Sequence, residues 1–516
     1  MIKFKRISIS AFVLSIGLVY GLFAQGYNVP LTMEGLNHSS NPSIMSKAMG
    51  GVTLSLQRDI SLMFANPASM TTLDGPTISV SSTKVWSNSE QTQQWTPLNA
   101  YGLFSLIMDG TLVGVKLPSV DNVPTGEFAG DTLWGAYDNI GPNWRHKRDV
   151  KLIPNIFVGV PFIIAGIKIS AGLGYSEYAN MDYYYQNNNH LTPTYDLISI
   201  GEGKVRGDSV RRFDWMQTIH NREGNLYGYG GAASVNIADN FSAGLSARII
   251  GGSTNDLDGS LGRGVFWFYS ADGAYKYLNF VRSACLRLDS AVYTKKVVGS
   301  SDYDGFDASM SMVYRGKNVT VGLAVTLPTT ISRKFSGQVV SDTTKTKLFS
   351  ASSSTTDLSF STDMNLPVHG NIGIGIKLRE NVFISAEVEY LPYHSAELIN
   401  KATGDTTNPW LDGTSVHFGF AWNPVETVSL YLGYRRANEV FQTQYSAFTG
   451  APVSYIAYSV GVGVDITPRL RLNAAYEFFE RKYIDVWQDN SNINILSSNT
   501  ISASISYSIG SILTMK

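Results

Sequence analysis

The sequence predicts an all-β fold, an antiparallel transmembrane β-barrel of roughly 14 to 16 strands of the outer-membrane class, with an N-terminal, partly helical hatch inside the lumen. Three observations support this prediction. The chain begins with an export signal, apolar and small polar residues alternate along many later segments, and short connections alternate with long ones. The predicted divisions are a signal peptide (1–24), a hatch (25–75) and a barrel with long extracellular loops (76–516).

Residues 1–24 have the pattern of a secretory signal peptide. Lys3, Lys5 and Arg6 precede an almost wholly apolar stretch, and Ala24 is a small residue before the polar Gln25. The apolar stretch is short for a transmembrane helix and has no stop-transfer flank. We therefore expect an exported chain that starts at Gln25.

The composition favours a membrane barrel over a soluble domain. Charged residues make up 16% of the chain, against roughly 25% in soluble domains. The net charge of −1 predicts no nucleic-acid partner. Cys285 is the one cysteine, so no intramolecular disulfide is expected. The mature chain lacks an apolar run of roughly 18 residues, so we expect strands to make any membrane crossing.

A period of two recurs through the second half of the chain. In VTVGLAVTL, residues 319–327, valine and leucine alternate with threonine, glycine and alanine. Residues 371–378 and 501–510 also alternate, with mainly isoleucine on one face and asparagine, glycine, lysine or serine on the other. One face of each strand is therefore apolar and the other small and polar. A barrel and a soluble sandwich share this alternation, so it leaves both open.

The connections favour the barrel, because outer-membrane barrels carry short turns at one end and long loops at the other. The predicted short turns are residues 108–111, 237–240, 315–318, 378–381, 423–427 and 465–469. The predicted long polar connections are residues 120–149, 185–224, 252–305, 341–356, 398–413, 440–452 and 483–498. Pairing strands across the short turns gives about sixteen strands, including a hairpin within residues 99–119.

The segment before the barrel does not alternate. Val52, Leu56, Ile60 and Met63 recur at helical spacing and predict a broken helical face within residues 25–75. Such an apolar segment needs burial, and the lumen provides it. The residues predicted to fill the lumen are Leu56, Ile60, Met63 and Phe64.

Asn66-Pro67-Ala68 follows this face. Proline disfavours a helix at the residue before it, so we predict that the hatch helix ends here and that the chain turns into the first strand. Asn66 is expected to form an Asx-turn, and Ala68 is small enough to lie against the barrel wall. A gating role for this tripeptide and a plain linker turn both remain open.

Residues 50–75 resemble the N-terminal hatch of the FadL/TodX family of outer-membrane channels for hydrophobic compounds. The resemblance rests on Gly50, Gly51, Asp59 and the Asn66-Pro67-Ala68 tripeptide. Residues 365–393, 416–439 and 458–480 are similar to hairpins of the same family, so the resemblance covers the hatch and the C-terminal third.

The resemblance implies a 14-stranded barrel in the outer membrane of a Gram-negative bacterium. It also implies uptake of hydrophobic molecules, such as long-chain fatty acids or aromatic hydrocarbons, by facilitated diffusion without a cofactor or an enzymatic step. The alternative is a PorV-like barrel of the type IX secretion system, which looks like the same superfamily and handles secreted proteins. The implied partners are outer-membrane lipid, lipopolysaccharide and hydrophobic small molecules, or secreted proteins under the alternative.

Several polar residues fall on the inward parity of the C-terminal strands. They allow two interpretations, a charged row that steers a ligand head group, or charges that pair with one another and with the hatch to rigidify the barrel. The second interpretation is favoured. The residues are Glu387, Glu389, Arg435, Arg471, Asn473, Glu477 and Arg481.

Two further motifs lie in predicted loops. A cationic cluster is a candidate anion-binding loop, with an ordinary solvated loop as the favoured interpretation. Asp256 and Asp258, like the aspartates of SDYDGFD, resemble part of a calcium loop but lack its distal glutamate, so solvated turns and no metal are predicted. The cationic cluster consists of Lys204, Arg206, Arg211 and Arg212.

Overall fold

The computed structural model describes residues 42–95, 143–194, 209–270, 280–287, 293–343, 351–408, 410–440, 453–486, 490–510 and 513–515. Helix α1 is Ile44–Ala48, and 3₁₀ helices span Ile60–Leu62, Pro67–Thr72 and Tyr393–Ser395. The first strands are β1 Thr77–Trp95, β2 Trp144–Ile164, β3 Ile167–Asn180, β4 Tyr183–Thr194, β5 Ser209–Ala238, β6 Phe241–Ser270, β7 Phe280–Arg287, β8 Tyr293–Arg315, β9 Val319–Thr326, β10 Thr329–Thr343 and β11 Ser352–Leu366. The remaining strands are β12 His369–Arg379, β13 Val382–Leu391, β14 Glu397–Asn400, β15 Thr406–Thr407, β16 Gly413–Val425, β17 Val428–Asn438, β18 Ser454–Thr467, β19 Leu470–Val486, β20 Asn490–Ser508 and β21 Leu513–Met515.

The strands form one closed antiparallel barrel. Across the described ranges the wall contains fourteen strands, because β3–β4, β9–β10, β11–β12 and β13–β14 each form one interrupted wall strand and β7, β15 and the parallel β21 are short additions to the wall. The last wall strand, β20, pairs with β1 from Thr77 opposite Ser508 to Trp95 opposite Asn490. The fold class is confirmed at fourteen strands.

The count of about sixteen strands was too high. The extra hairpin was placed within residues 99–119, which lie outside the described residues, as does the predicted signal peptide. Strand β1 pairs directly with β2, so the wall closes without that hairpin. Residues 99–119 alternate as a wall strand does, so the sequence pattern alone could not separate a hairpin of the wall from a segment outside it.

The described turns divide between the two ends of the barrel as predicted. Residues 165–166, 239–240, 316–318, 380–381 and 426–427 join neighbouring strands at one end, which we call the short-turn end. The connections after β1, β6 and β17 leave the opposite end, which we call the long-connection end.

The predicted long connections are in large part strands, and this prediction was wrong. Residues predicted as loop within 185–224 and 252–305 extend β5 and β6 to 30 residues each, and the two strands pair from Ala238 and Phe241 out to Ser209 and Ser270. In outer-membrane barrels only the lipid-facing part of a strand needs an apolar outer face, so a strand that extends past that part need not show the alternation.

Side chains alternate across the wall. Leu323 is 47% exposed on the outer face, whereas the neighbouring inward Ala324 is 4% exposed. Ile501 and Ser502 repeat the contrast near the C-terminus, with 51% and 2% exposure. An apolar outer face is what a wall in contact with lipid requires. None of the helices in the described part of the chain has the length and hydropathy of a membrane span.

Residues 42–75, the described hatch, lie inside the barrel against inward glycines. A Cβ atom on Gly433 would lie 1.9 Å from the Gly50 nitrogen, and one on Gly244 would lie 2.5 Å from the Ala68 nitrogen. Gly50 itself has φ +72, the left-handed conformation that ends α1. The inward glycines are therefore the places where the hatch backbone touches the wall.

The predicted hatch helix was wrong in position. Helix α1 ends at Ala48, Val52 lies in an irregular segment, and Pro67 begins a 3₁₀ helix at its first position. Proline suits that position because its missing N–H would have no partner there. The apolar hatch residues are still buried, because the lumen encloses them whatever their helical spacing.

We expect Gly433→Ala to destabilise the barrel by about 1–3 kcal/mol, because the added methyl group overpacks the contact with Gly50. Gly251→Ala is the matched control, since a Cβ there meets only the Tyr303 oxygen at 3.8 Å. Urea unfolding in lipid vesicles, followed by tryptophan fluorescence, measures both variants. An equal loss in both would contradict the assignment of Gly433 to the hatch contact.

Candidate functional site

Glu387 on β13 attaches the hatch to one side of the wall. Its carboxylate accepts hydrogen bonds from the backbone N–H groups of Thr53 at 2.7 Å and Leu54 at 3.0 Å. The Thr53 hydroxyl donates a third bond at 2.8 Å, and the Asn371 amide a fourth. Glu387 is 3% exposed, and hydrogen bonds to a buried carboxylate are among the stronger ones.

The end of α1 is held by two neighbouring strands. The Nδ1 atom of His417 donates to the Gly50 carbonyl at 2.8 Å. The Ser459 hydroxyl accepts from the Gly50 N–H at 3.1 Å and donates to the Ala48 carbonyl at 3.2 Å. These bonds satisfy backbone groups that the end of a helix leaves without intrahelical partners.

Asn66 does not form the predicted Asx-turn. Its Nδ2 atom donates to the carbonyls of Thr53 at 3.1 Å and Leu54 at 3.3 Å, and its Oδ1 atom accepts from the Ser311 hydroxyl at 3.0 Å. The Ser311 hydroxyl also accepts from the Ala68 N–H at 2.9 Å. Asn66 therefore joins two hatch segments to β8, because the irregular segment after α1 brings free carbonyls within its reach.

The predicted lumen-filling residues are all buried. Leu56 packs with Ile44 and Val52 in one apolar cluster. Ile60, Met63 and Phe64 belong to a second cluster, in which the Phe64 and Phe157 rings lie 6.2 Å apart. The hatch thus has two apolar cores, one against each side of the wall.

A cavity of about 430 Å³ lies between the hatch and the long-connection end. Lys47, Thr53 and Phe64 of the hatch contribute to its lining, with Glu387 and Glu389 on the wall. Its aromatic lining residues are Phe64, Trp144, Tyr178, Tyr183, Tyr184, Tyr185, Tyr393, Tyr455, Phe479 and Tyr483. A partly enclosed space lined both by aromatic rings and by fixed polar and charged groups is a candidate ligand site.

The cavity holds four arginines that are paired with carboxylates. The Arg435–Glu477 pair is 3.2 Å long and the Arg248–Asp307 pair 2.7 Å. The other two pairs are Arg481–Glu439 at 2.9 Å and Arg148–Asp182 at 3.7 Å. These contacts match the interpretation of paired lumen charges.

Two of the predicted inward residues lie away from this cavity. Arg471 bonds Asp465 at 2.8 Å and the Tyr431 hydroxyl at 2.7 Å near the short-turn end, and Asn473 bonds Ser504 at 3.3 Å. They share a strand face with Glu477, and several residues along the strand separate them from the cavity.

Lys47 of the hatch was not singled out from the sequence. Its ammonium group donates to the Thr83 hydroxyl at 2.9 Å. Burial lowers the pKa of Lys47, whereas the carboxylates of Glu177 and Glu477 act in the opposite direction. The sequence did contain a sign of this residue, because Lys47 is the one charged residue within residues 44–57.

A large apolar cluster lies toward the long-connection end and was also missed. It meets the cavity through Tyr178, Leu391 and Tyr393. Pro328, Pro367 and Pro392 lie where wall strands are interrupted, as expected for residues that cannot donate to a ladder. The buried members are Tyr178, Ala179, Met181, Leu226, Ile250, Tyr303, Ile331, Met364, Leu366, Leu391, Tyr393, Ala396, Trp410 and Val440.

The predicted loop position is wrong for two residues of the candidate anion-binding cluster, whereas anion binding itself stays a prediction. Arg211 and Arg212 lie in β5, paired with Phe268 and Trp267, rather than in a loop. Lys204 and Arg206 lie outside the described residues.

The solvated-turn prediction for Asp256 is also wrong. Asp256 lies in β6 and accepts bonds from Arg222 at 3.1 Å and Arg333 at 2.8 Å, with both arginines buried. Its neighbour Asp258 lies 3.2 Å from His220. Across the described ranges, no group of three or more His, Cys, Asp or Glu residues is arranged to hold a metal ion.

Comparison with solved structures identifies the architecture, although no protein-family model and no curated protein matches the chain. A FadL homologue of Pseudomonas aeruginosa aligns with a TM-score of 0.53 and 14% identity, over 92% of this chain and 99% of that one. The toluene transporter TodX of P. putida aligns with a TM-score of 0.53 and 13% identity, over 93% and 99%. The chain has the FadL-type fold. At these identities the likeness concerns the fold alone. In this FadL-type fold the cavity lies between the hatch and the apolar cluster.

We expect Glu387→Ala to loosen the hatch, because it leaves the Thr53 and Leu54 N–H groups without an acceptor. Each buried N–H group without a partner destabilises the hatch contact by about 1–3 kcal/mol. Hydrogen exchange read by mass spectrometry should show faster exchange over residues 50–56. Glu380→Ala, in an exposed turn, is the control and should leave that exchange rate unchanged. Equal exchange in both variants would contradict the anchoring role of Glu387.

Proposed function

We propose that the chain is an outer-membrane channel that takes up hydrophobic compounds by facilitated diffusion. The observation that carries this proposal is the partly enclosed cavity, lined by aromatic and polar side chains, inside a barrel whose short-turn end is filled by a hatch. The fold likeness to a FadL homologue and to a toluene transporter supports it.

The proposed route passes from the apolar cluster to the cavity and then past the hatch. Hydrophobic molecules gain free energy on leaving water, so a chain of apolar sites suits them better than a water-filled pore. The cluster and the cavity share Tyr178, Leu391 and Tyr393, which gives a continuous apolar contact between the two. Passage to the short-turn end then requires the hatch to move, with Leu56, Ile60, Met63 and Phe64 as the residues displaced.

In the proposed mechanism the protein forms no bond with its substrate and needs no cofactor. The hydrogen bonds of Glu387, His417 and Ser459 hold the hatch on one side, and those of Ser311 hold it on the other. Asn66 and Pro67 are proposed to keep the hatch attached to Ser311 of β8 while the segment around α1 moves.

Deleting the gene should slow the uptake of radiolabelled toluene or oleate several-fold at limiting concentration, and the wild-type gene should restore it. The deletion strain carrying Gly251→Ala is the matched control. Uptake of both compounds at the parental rate would sink the proposal. Co-purification of secreted proteins that share a C-terminal domain, without bound lipid, would favour the PorV-like alternative.

Locking the hatch should block transport. Ser55 of the hatch and Ser385 of the wall have hydroxyl oxygens 2.7 Å apart, so cysteines at both positions lie within disulfide reach in a Cys285→Ser background. We expect uptake to fall at least tenfold when this pair is oxidised and to recover on reduction, because the hatch must move.

The control pair is Ser79 and Ser506, whose hydroxyls lie 2.8 Å apart on two wall strands. A disulfide there joins wall to wall and should leave uptake intact. Undiminished uptake by an oxidised Ser55–Ser385 pair, with cross-linking verified by mass spectrometry, would contradict hatch movement.

A further inference from the structure

We infer that the lumen cavity selects aromatic molecules that carry a positive charge, with Glu389 as their counter-charge. This inference rests on the proposed channel function and names its substrate class. The argument uses the charge pairs of the cavity, the neighbours of Glu389 and the aromatic rings around it.

The cavity already contains two three-part arrangements of carboxylate, cation and tyrosine. The Arg248 guanidinium pairs with Asp307 and lies 4.6 Å from the Tyr178 ring centre. The Arg435 guanidinium pairs with Glu477 and lies 5.9 Å from the Tyr455 ring centre. In both, a cation lies over an aromatic face and beside a carboxylate, which are two favourable contacts for an organic cation.

Glu389 and Tyr393 form a third carboxylate and tyrosine in the same lining. Glu389 lies in β13 and Tyr393 follows the end of that strand by two residues, so both belong to the same part of the wall. Within the described residues, no lysine or arginine forms an ion pair with Glu389. The third arrangement therefore has its carboxylate and its ring and lacks its cation.

The register of the sheet explains why no basic side chain bonds Glu389. Its cross-strand partners are Asn371 on β12 and Ser415 on β16, and Glu387 and Leu391 are its inward neighbours along β13. Arg435 lies within electrostatic range, but its guanidinium is hydrogen-bonded to Glu477.

The other cations of the cavity are bonded to other partners. Lys47, the cavity's one lysine among the described residues, is bonded to Thr83 and lies near Glu177 and Glu477. The remaining described cations of the lining are the four paired arginines. A ligand ammonium group beside Glu389 would be attracted, whereas a fatty-acid carboxylate would be repelled.

Three probes of similar size test the inference on the purified full-length barrel. They are benzyltrimethylammonium, its uncharged isostere neopentylbenzene and the anion phenylacetate. We expect wild-type protein to bind the cation about tenfold more tightly than the anion in calorimetry. A tenfold ratio of dissociation constants is what one partly desolvated charge contact provides.

Glu389→Gln should lower the ratio of cation affinity to neopentylbenzene affinity about tenfold. The control Glu380→Gln changes a carboxylate in an exposed turn outside the cavity and should leave the ratio unchanged. Phenylacetate binding as tight as cation binding, or an unchanged ratio in Glu389→Gln, would overturn the inference.

Uptake of neopentylbenzene by cells separates this inference from the proposed function. Gene-dependent uptake of the neutral probe without preference for the cation over the anion leaves the channel standing and removes the charge selectivity. Equal uptake of all three probes with and without the gene removes the channel function itself.

Discussion

Closure of the sheet by the pairing of β1 with β20 is the constraint on which the rest of the structure depends. An open edge in a membrane would leave backbone N–H and C=O groups without partners, which costs several kcal/mol for each group. The ladder from Thr77 opposite Ser508 to Trp95 opposite Asn490 removes that edge. Closure also fixes which residues face inward, and so it decides where the hatch and the cavity meet the wall.

The hatch is held largely through small and polar side chains. Ser311 and Ser459 are short hydroxyl side chains on the inward face, and each bonds a hatch backbone group. Glycines such as Gly433 bring the two backbones closer than any Cβ would permit. The small polar face that the sequence shows on strands of the second half therefore has two functions, to accommodate the hatch and to line the lumen.

The sequence predicts the wall well and the hatch poorly, for a physical reason. Leu323 and Ala324 lie on opposite faces of a strand that is exposed on its outer side and covered on its inner side, so apolar and small residues alternate with a period of two. Val52 and Leu56 are buried by a surrounding wall, and burial from all sides imposes no period that could be read as a helix or a strand.

The polar strand extensions and the candidate site show the same limit. Asp256 looks like a turn residue in the sequence because its two arginine partners, Arg222 and Arg333, come from β5 and β10, far away in the chain. Glu389 was found on the inward face from its parity. Its lack of a basic partner follows from the cross-strand register, which pairs it with Asn371 and Ser415 and which no local pattern specifies.

The unequal lengths of the strands have a mechanical consequence. Strands β5 and β6 have 30 residues each, whereas β16 has 13 and β17 has 11, so the described rim is tall on one side and low on the other. The tall strand β6 and its neighbour β8 also carry Ser246 and Ser311 near their other ends, and these serines bond the hatch at Phe64 and Ala68. The same paired strands thus reach from the high rim at one end to the hatch attachment at the other. A force applied to that rim is therefore transmitted along these strands toward the hatch.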